Sequence, residues 1–257
     1  MLLNEWRVCL TAVQYFTRIP VPVSVGYSVG QLNASVGYFP LVGGLVAAVC
    51  ILVFVSALPW VGQAVAVWLA VIGGWWLTGG FHEDGLADFV DGMGGGYDAT
   101  ARLTIMQDSR VGSFGVLALV GVIGLKVTCL QNLPNLAACW AWWVAHVLSR
   151  CVPVVLMRCL PYARLEGGKL KPIAQEVTWA RIGLALAWAL PVLCLQPVLA
   201  VLVLPLGLLA VWLRHVWLRD LGGYTGDCLG ASQQLSEGLV YLGVVVLWRG
   251  GWFDIPA

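Results

Sequence analysis

Residues 36–80 read VGYFPLVGGLVAAVCILVFVSALPWVGQAVAVWLAVIGGWWLTGG and contain no charged side chain. The stretch divides into two apolar runs, 36–57 and 61–80, which are separated by a short connector from Leu58 to Trp60. Each run has the length of about 18 or more residues that a helix needs to cross the hydrocarbon layer of a bilayer. This pair of runs indicates a membrane protein built from helices.

The composition extends this interpretation to the whole chain. Of the 257 residues, 60% are hydrophobic and only 11% are charged, a balance that favours a bilayer over a soluble core. Further apolar runs lie at 112–131, 136–158, 182–196, 198–213 and 235–250. We therefore predict an all-α polytopic membrane bundle of about seven transmembrane helices, forming a single membrane-embedded domain over residues 1–257.

The connectors between these runs are of two kinds, uncharged and basic. The uncharged connectors lie at 58–60, 131–135 and 196–197. The connectors that contain arginine or lysine lie at 81–111, 158–181 and 214–237. Because cytoplasmic loops are enriched in these residues, we predict that the basic connectors face the cytoplasm. The C-terminal GGWFDIPA is then expected outside.

The N-terminal residues 4–19 form a different kind of segment, predicted as an amphipathic helix that Pro20 ends. One face carries Trp6, Leu10, Val13 and Phe16, and the other carries Arg7, Thr11, Gln14 and Arg18. Such a helix lies in the membrane interface, in contact with lipid, or packs on the bundle.

Charge and cysteine content exclude some classes of function. The formal net charge is +1, without a basic run, so nucleic acid is not expected as a partner. The eight cysteines are scattered and form no C-x-x-C motif, which predicts small buried hydrophobic residues and not disulfides or zinc ligands.

Residues 81–115, FHEDGLADFVDGMGGGYDATARLTIMQDSRVGSFG, hold six of the thirteen acidic residues. On a helix, Asp84, Asp88 and Asp91 follow the spacing i, i+4, i+7 and share one face. Like charges at this distance repel unless a cation lies among them, and carboxylate oxygens beside substrate phosphates suit Mg²⁺. The pattern predicts a magnesium site, with a solvated helix face as the alternative.

A second polar segment, GGYTGD at 222–227, is predicted on the same side of the membrane. Gly223 and Gly226 would allow the backbone to approach a phosphate closely, and Asp227 would add a carboxylate to the metal site. Arg102 and Arg110 are candidate phosphate ligands, because a guanidinium group matches phosphate oxygens in pairs.

Four other residues keep alternative interpretations. Asp108, together with Ser109, either caps the helix of the run 112–131 or contacts a ligand. His82 either moves a proton near neutral pH or has an orienting or structural role. Arg150, inside the run 136–158, is either functional or extends to the interface. Lys126 is predicted to extend its ammonium group to the interface.

These motifs resemble those of the cobalamin synthase family, adenosylcobinamide-GDP ribazoletransferase. The matching segments run in order along almost the whole chain. They are FTRIPVP at 16–22, YFPLVGGLVA at 38–47, TGGFHEDGLADFVDG at 78–92, IMQDSRVGSFGVLAL at 105–119, SR at 149–150, YAR at 162–164 and LGGYTGDCLGA at 221–231.

The resemblance implies an integral membrane transferase that acts late in cobalamin biosynthesis. Its substrates would be adenosylcobinamide-GDP and α-ribazole or α-ribazole 5′-phosphate, its products adenosylcobalamin or the 5′-phosphate and GMP, and its cofactor Mg²⁺. The acidic motifs of the family map onto Asp84, Asp88, Asp91, Asp108 and Asp227.

The resemblance gives a hypothesis for the site, expected on the cytoplasmic side. One or two Mg²⁺ ions would be bound by Asp84, Asp88, Asp91 and Asp227. Phosphate oxygens would be held by Arg102, Arg110 and Arg150, with His82, Gly223 and Gly226 also in the substrate site. Either Asp88 or Asp108 would accept the proton of the attacking ribose hydroxyl.

Two alternatives are weaker. A CDP-alcohol phosphatidyltransferase also carries aspartates beside the membrane, but DGLAD at 84–88 matches its motif only in part. A cation or corrinoid transporter would place ionisable residues at mid-membrane depth in several spans, whereas most charges here fall in predicted connectors. A homo-oligomer is compatible with the sequence, which does not specify one.

Overall fold

The computed structural model describes residues 4–26, 28–163 and 176–252, and these residues form a helical bundle. The α-helices are α1 Glu5–Phe16, α2 Val29–Ser35, α3 Phe39–Thr78, α4 Phe81–Gly95, α5 Ala99–Ile105, α6 Ser113–Gln131, α7 Asn135–Ser149, α8 Cys151–Cys159, α9 Trp179–Leu195, α10 Val203–Leu221 and α11 Gly226–Arg249. Within the described ranges the only β-type pairing is one parallel bridge between Tyr162 and Tyr224. The all-α prediction is confirmed.

Helix α3 is a helical hairpin. Gly62 interrupts it with φ 74° and ψ 168°, a conformation that favours glycine. An ideal Cβ on Gly73 would lie 3.3 Å from Cγ2 of Val53, although these residues would be about 30 Å apart along a straight helix. The two halves are therefore antiparallel, which agrees with the predicted runs 36–57 and 61–80.

Several stretches of the described chain are long and apolar enough to cross a membrane. They are Val29–Thr78, which contains the α3 hairpin, Ser113–Gln131, Asn135–Cys159 and Pro197–Leu221. The apolar helix Trp179–Leu195 is shorter, with 17 residues. The chain thus has the character of a polytopic membrane protein, and the number of about seven spans stays a prediction. Residues 253–257, on which part of the predicted C-terminal topology depends, lie outside the described residues.

Helix α1 ends at Phe16 and presents a different face to the bundle from the one that was predicted. Thr11, predicted on the polar face, is buried. Its hydroxyl donates a 2.8 Å hydrogen bond to the carbonyl of Arg7, so its polar group is satisfied inside the bundle. Trp6, predicted on the apolar face, is 67% exposed. Glu5 attaches the helix to α9 through two 2.8 Å hydrogen bonds from Arg181.

Helix α4 is an internal helix that packs between α11 and α6. Leu86, Ala87 and Phe89 form its buried apolar face. Against α11 the contact is made by glycines: an ideal Cβ on Gly85 would lie 3.3 Å from the Cα of Gly230. The absence of side chains at these two positions lets the helix backbones approach closely.

The prediction that Lys126 extends to the membrane interface is wrong. Its side chain is only 5% exposed, and its Nζ lies 3.0 Å from Oε1 of Glu237. The same Nζ donates a 2.5 Å hydrogen bond to Oε1 of Gln234. A buried ammonium group is tolerated when it is paired and hydrogen-bonded, and α11 supplies both partners.

Candidate active site

The two acidic segments that are distant in sequence meet where α4 crosses the N-terminus of α11. An ideal Cβ on Gly85 would lie 3.2 Å from both the Cα and the carbonyl oxygen of Asp227. Asp227 is therefore next to the turn of α4 that carries Asp84 and Asp88. Asp84 is exposed, and Asp88 and Asp227 are half-buried, so the polar side of this contact is open to a ligand.

The donor set at this contact suits a hard divalent cation, since it consists of carboxylates on two helices in backbone contact. In their present rotamers, no three His, Cys, Asp or Glu side chains of the described ranges are grouped closely enough to hold a metal ion. The exposed Asp84 can change rotamer without disturbing the core. The residues therefore fit a magnesium site that side-chain rotation would complete.

Asp91 makes contacts that the sequence did not indicate. Its Oδ2 accepts a 2.7 Å hydrogen bond from the amide of Gly112, and its Oδ1 accepts a 2.8 Å bond from the amide of Gly115. These amides belong to the first turn of α6, where a carboxylate satisfies free N–H groups and the helix dipole. Asp91 therefore joins α4 to α6, and both of its oxygens are engaged.

The helix cap predicted at Asp108 or Ser109 is wrong, because α6 begins after Gly112 and the carboxylate that meets its first amides is that of Asp91, on α4. Asp108 instead pairs with Arg110, whose Nη2 lies 2.6 Å from Oδ2. Hydrogen bonds from Arg110 lower the pKa of Asp108 from 3.8 to about 2. A carboxylate with so low a pKa is a weak proton acceptor.

The guanidinium group of Arg102 connects two parts of the bundle. Its Nη1 lies 3.0 Å from Oδ1 of Asp220, at the end of α10. Its Nε donates a 3.1 Å hydrogen bond to the carbonyl of Gly96, just after α4. Arg102 therefore has protein partners, and binding to a phosphate would require it to exchange them.

His82 and Arg150 line one cavity of about 30 Å³ next to the α4–α11 contact, together with Gly226 and Gly230. The His82 ring stacks on Phe16 with 5.4 Å between ring centroids. This ring faces the aromatic side of the cavity, whereas Asp84, two residues along α4, is exposed.

Arg150 is 2% exposed, so it does not extend to the interface. Its Nη1 donates a 2.9 Å hydrogen bond to the carbonyl of His146, whereas its Nε has no hydrogen-bond partner among the described residues. A buried guanidinium group with an unused donor on a cavity wall is the arrangement that an anionic ligand group would satisfy.

The two glycines of GGYTGD have different surroundings. An ideal Cβ on Gly223 would clash with the carbonyl oxygen of Pro161, and this oxygen accepts a 3.0 Å hydrogen bond from the amide of Tyr224. Gly223 is thus required for close packing on the segment after α8. Gly226 begins α11 and lines the cavity beside Arg150.

Comparison with known proteins shows the family of the chain. The family model described as cobalamin-5-phosphate synthase matches residues 8–245. The chain belongs to this family. The cobalamin-5-phosphate synthase match includes both α4 and the first turns of α11, so the two acidic segments lie inside it.

Relatives in this family align over nearly their full length and carry the name adenosylcobinamide-GDP ribazoletransferase. The protein of Leptothrix cholodnii is 44% identical over 98% of this chain and 99% of its own length. That of Ralstonia pickettii is 42% identical over 95% and 97%, and that of Vibrio cholerae 41% over 94% and 94%. No solved structure matches the chain.

A second polar group, which the sequence prediction missed, lies beneath the site. It is a buried network made by Glu83, Lys126, His146, Ser149, Arg150, Gln233, Gln234 and Glu237. A signal was present, because Gln233 and Gln234 lie four and three residues before Glu237 in a largely apolar segment, so each of them neighbours Glu237 on the helix surface.

Proposed function

We propose that this chain is an adenosylcobinamide-GDP ribazoletransferase of the bacterial inner membrane. A ribose hydroxyl of α-ribazole, or of α-ribazole 5′-phosphate, attacks the phosphorus that carries the cobinamide arm. The bond from that phosphorus to the bridging oxygen breaks, and GMP departs with this oxygen. The observation that carries the proposal is the contact of Asp227 with the turn of α4 that bears Asp84 and Asp88, within a chain whose family is established.

Asp84, Asp88 and Asp227 would hold Mg²⁺, as one ion or two. The bound metal supplies positive charge that offsets the charge on the diphosphate and on the departing GMP. The sequence hypothesis also includes Asp91 among the metal ligands. Its hydrogen bonds with the amides of Gly112 and Gly115 attach α4 to α6, and this bracing role keeps the other carboxylates of α4 in place.

Proton transfer is assigned to Asp88. It is half-buried beside Asp227, whereas Asp108 is held in an exposed pair with Arg110. Asp88 accepts the proton of the attacking hydroxyl as the oxygen–phosphorus bond forms. Asp108 then serves to orient Arg110 through Nε and Nη2, which leaves Nη1 of this exposed guanidinium group to donate to a substrate phosphate.

Arg150 is the cation proposed for the buried side of the substrate site, since it lines the cavity that Gly226 and His82 also line. Arg102 would have to leave Asp220 in order to bind phosphate. We therefore assign phosphate binding first to Arg150 and Arg110, and to Arg102 only in a rearranged substrate complex.

The test is GMP release by the purified protein in detergent, with adenosylcobinamide-GDP and α-ribazole, with and without Mg²⁺. Asp84→Asn and Asp88→Asn keep the side-chain size but remove ligand charge, so turnover should fall by about 10²- to 10³-fold. Asp98→Asn is the matched control, because Asp98 caps the short helix α5 by accepting from the amide of Ala101 at 2.8 Å. Turnover of Asp88→Asn close to that of Asp98→Asn would refute the assignment.

The cytoplasmic location of the site has its own test. Tyr97 is 98% exposed just after α4, so a cysteine introduced there can react with a membrane-impermeant maleimide. In a background with Cys159→Ser and Cys194→Ser, which removes the two exposed native thiols, labelling is expected in inverted vesicles only. Labelling only in right-side-out vesicles would place the site on the other side.

A further inference from the structure

The buried polar network beneath the site is costly in a membrane protein. Lys126 and Glu237 form its centre with 3.0 Å between Nζ and Oε1, and each side chain is 5% exposed. Ionisable groups buried in such helices are expensive unless they are paired, and they usually have a functional reason. The catalytic arrangement proposed above does not use either residue.

Two neighbouring glutamines extend from this pair in different directions. Gln234 accepts from Lys126 at 2.5 Å and donates a 2.9 Å hydrogen bond to Oε1 of Glu83, on α4. Its amide also donates a 2.8 Å bond to Oε1 of Gln233. Gln233 donates a 2.6 Å bond to Glu237 and a 3.1 Å bond to Ser149, on α7. Gln234 is therefore bonded to α4, the helix that carries the candidate metal ligands, whereas Gln233 is bonded to α7.

The glycine contact between α4 and α11 fixes their separation but does not by itself prevent α4 from sliding or rotating on α11. Gly85 and Gly230 set the separation of the two helices, but two bare backbones have no interlocking side chains that would prevent sliding or rotation. The hydrogen bond from Gln234 to Glu83 provides that restraint, one residue before Asp84. Oε2 of Glu83 has no hydrogen-bond partner among the described residues, so the bond from Gln234 to Oε1 is the hydrogen bond that holds this carboxylate.

We propose that Gln234 and Glu83 are positioning residues for the transfer reaction. Held by Lys126, the Gln234 amide fixes the rotation and the axial position of α4 on α11. It thereby places the carboxylates of Asp84 and Asp88 opposite Asp227. This inference rests on the proposed function, because it assigns a role in the reaction that these carboxylates support.

A matched pair of variants separates positioning from simple stabilisation. Gln234→Met and Gln233→Met make the same change at adjacent buried positions of one helix, and each leaves buried polar partners unsatisfied. Both are expected to lower the unfolding temperature in detergent by similar amounts. Gln234→Met is expected to lower kcat by up to about a hundredfold with KM within about threefold, because a displacement of about 1 Å is costly to catalysis. Gln233→Met removes the Gln233 acceptor of one Gln234 bond but leaves the bond from Gln234 to Glu83, so it should lower kcat by less than about threefold.

A second readout does not depend on turnover. Mn²⁺ binding followed by electron paramagnetic resonance, without substrate, should weaken by about tenfold in Gln234→Met and stay within about twofold in Gln233→Met. Equal losses of kcat in the two variants, or no loss in Gln234→Met, would overturn the positioning role. If the wild-type protein releases no GMP in the same assay, the proposed function fails instead.

Substitution of Glu83 tests the same bond from its other end, and remains informative if Gln234→Met does not fold. Glu83→Gln keeps a carbonyl oxygen that can accept from Gln234, so kcat should stay within about threefold of wild type, whereas Glu83→Met should lose about as much as Gln234→Met. Equal, large losses in Glu83→Gln and Glu83→Met would contradict positioning by this hydrogen bond and indicate a need for the charge of Glu83.

Discussion

Gly230→Ala tests whether the close approach of α4 and α11 sets the geometry of the site. The added Cβ would lie 3.2 Å from the Cα of Gly85, 3.2 Å from the carbonyl oxygen of His82 and 3.5 Å from its Cα. All three neighbours are backbone atoms, so no side chain can rotate away. Relief of the contact requires α4 to move away from α11 by a few tenths of an ångström.

The cost of this movement can be worked out for both stability and rate. Overpacking of this kind costs about 1–3 kcal/mol, and alanine in place of a helical glycine restores up to about 1 kcal/mol. The net loss of unfolding free energy is therefore about 0–3 kcal/mol. If a misplacement of about 1 Å costs about a hundredfold, a shift of about 0.3–0.5 Å should lower kcat by about four- to tenfold.

Gly238→Ala is the matched control on the same helix. Its Cβ would lie 3.9 Å from Cδ2 of Leu125, an ordinary van der Waals distance, so only the gain in helix propensity should remain. We expect unchanged or slightly raised stability in thermal unfolding and unchanged GMP release. If Gly230→Ala turns over as fast as Gly238→Ala, the separation of α4 and α11 does not determine the positions of the reacting carboxylates.

Three further predictions concern other contacts. Asp91→Ala leaves the amides of Gly112 and Gly115 without their partner and should lower the unfolding free energy by about 1–3 kcal/mol; denaturation curves that match wild type would contradict the bracing role. Gly223→Ala places a Cβ against the carbonyl oxygen of Pro161 and should lower the unfolding temperature more than Gly207→Ala, whose Cβ meets no atom within 4 Å. Hydrogen bonds from Arg181 lower the pKa of Glu5 from 4.5 to about 2, so the stabilisation by this pair is present above about pH 4.5 and is lost as the pH falls towards 2. The difference in unfolding temperature between wild type and Glu5→Gln should therefore shrink over that range, and a difference that is constant with pH would contradict the pairing. Because the pair is partly exposed, the difference should correspond to less than about 1 kcal/mol.

The sequence predicted the helices well, because apolar length is a direct consequence of bilayer thickness. Residues 112–131 and 136–158 correspond closely to α6 and to α7 with α8. Helix α11 begins at Gly226 and not near residue 235, because the polar side chains of its first half lowered the apparent hydrophobicity. These side chains are buried against α4, α6 and α7. They contact other helices and not lipid, so this half of α11 does not need an apolar sequence.

The partners within the site were less predictable than its members. Helical periodicity placed Asp84, Asp88 and Asp91 on one side of α4, but it could not show that α6 lies against the last turn of that side. Asp91 consequently meets the amides of Gly112 and Gly115. Similarly, Lys126 was predicted to reach the interface because its own apolar run contains no acidic partner. The partner, Glu237, lies on α11, more than a hundred residues later in the chain.

The buried network also changes the argument against transport. That argument assumed that charges lie in connectors, whereas Lys126 and Glu237 are paired inside the bundle. Their contacts form a closed group in which a carboxylate neutralises the ammonium group and amides satisfy the remaining bonds. A site that must bind and release a cation would leave such ligands accessible, so the pairing favours a fixed structural anchor.

Glycine contacts and buried hydrogen bonds have complementary effects in this bundle. Between membrane helices, hydrophobic burial adds little, because lipid is as apolar as the helix surfaces. Gly85 and Gly230 allow the closest approach of α4 and α11, and Gln234 restricts how α4 can move within that contact. With separation and register both fixed from the buried side, the exposed side of α4 can carry several carboxylates in spite of their mutual repulsion. A cation and an anionic substrate then complete the charge balance of a surface that the helices have already positioned.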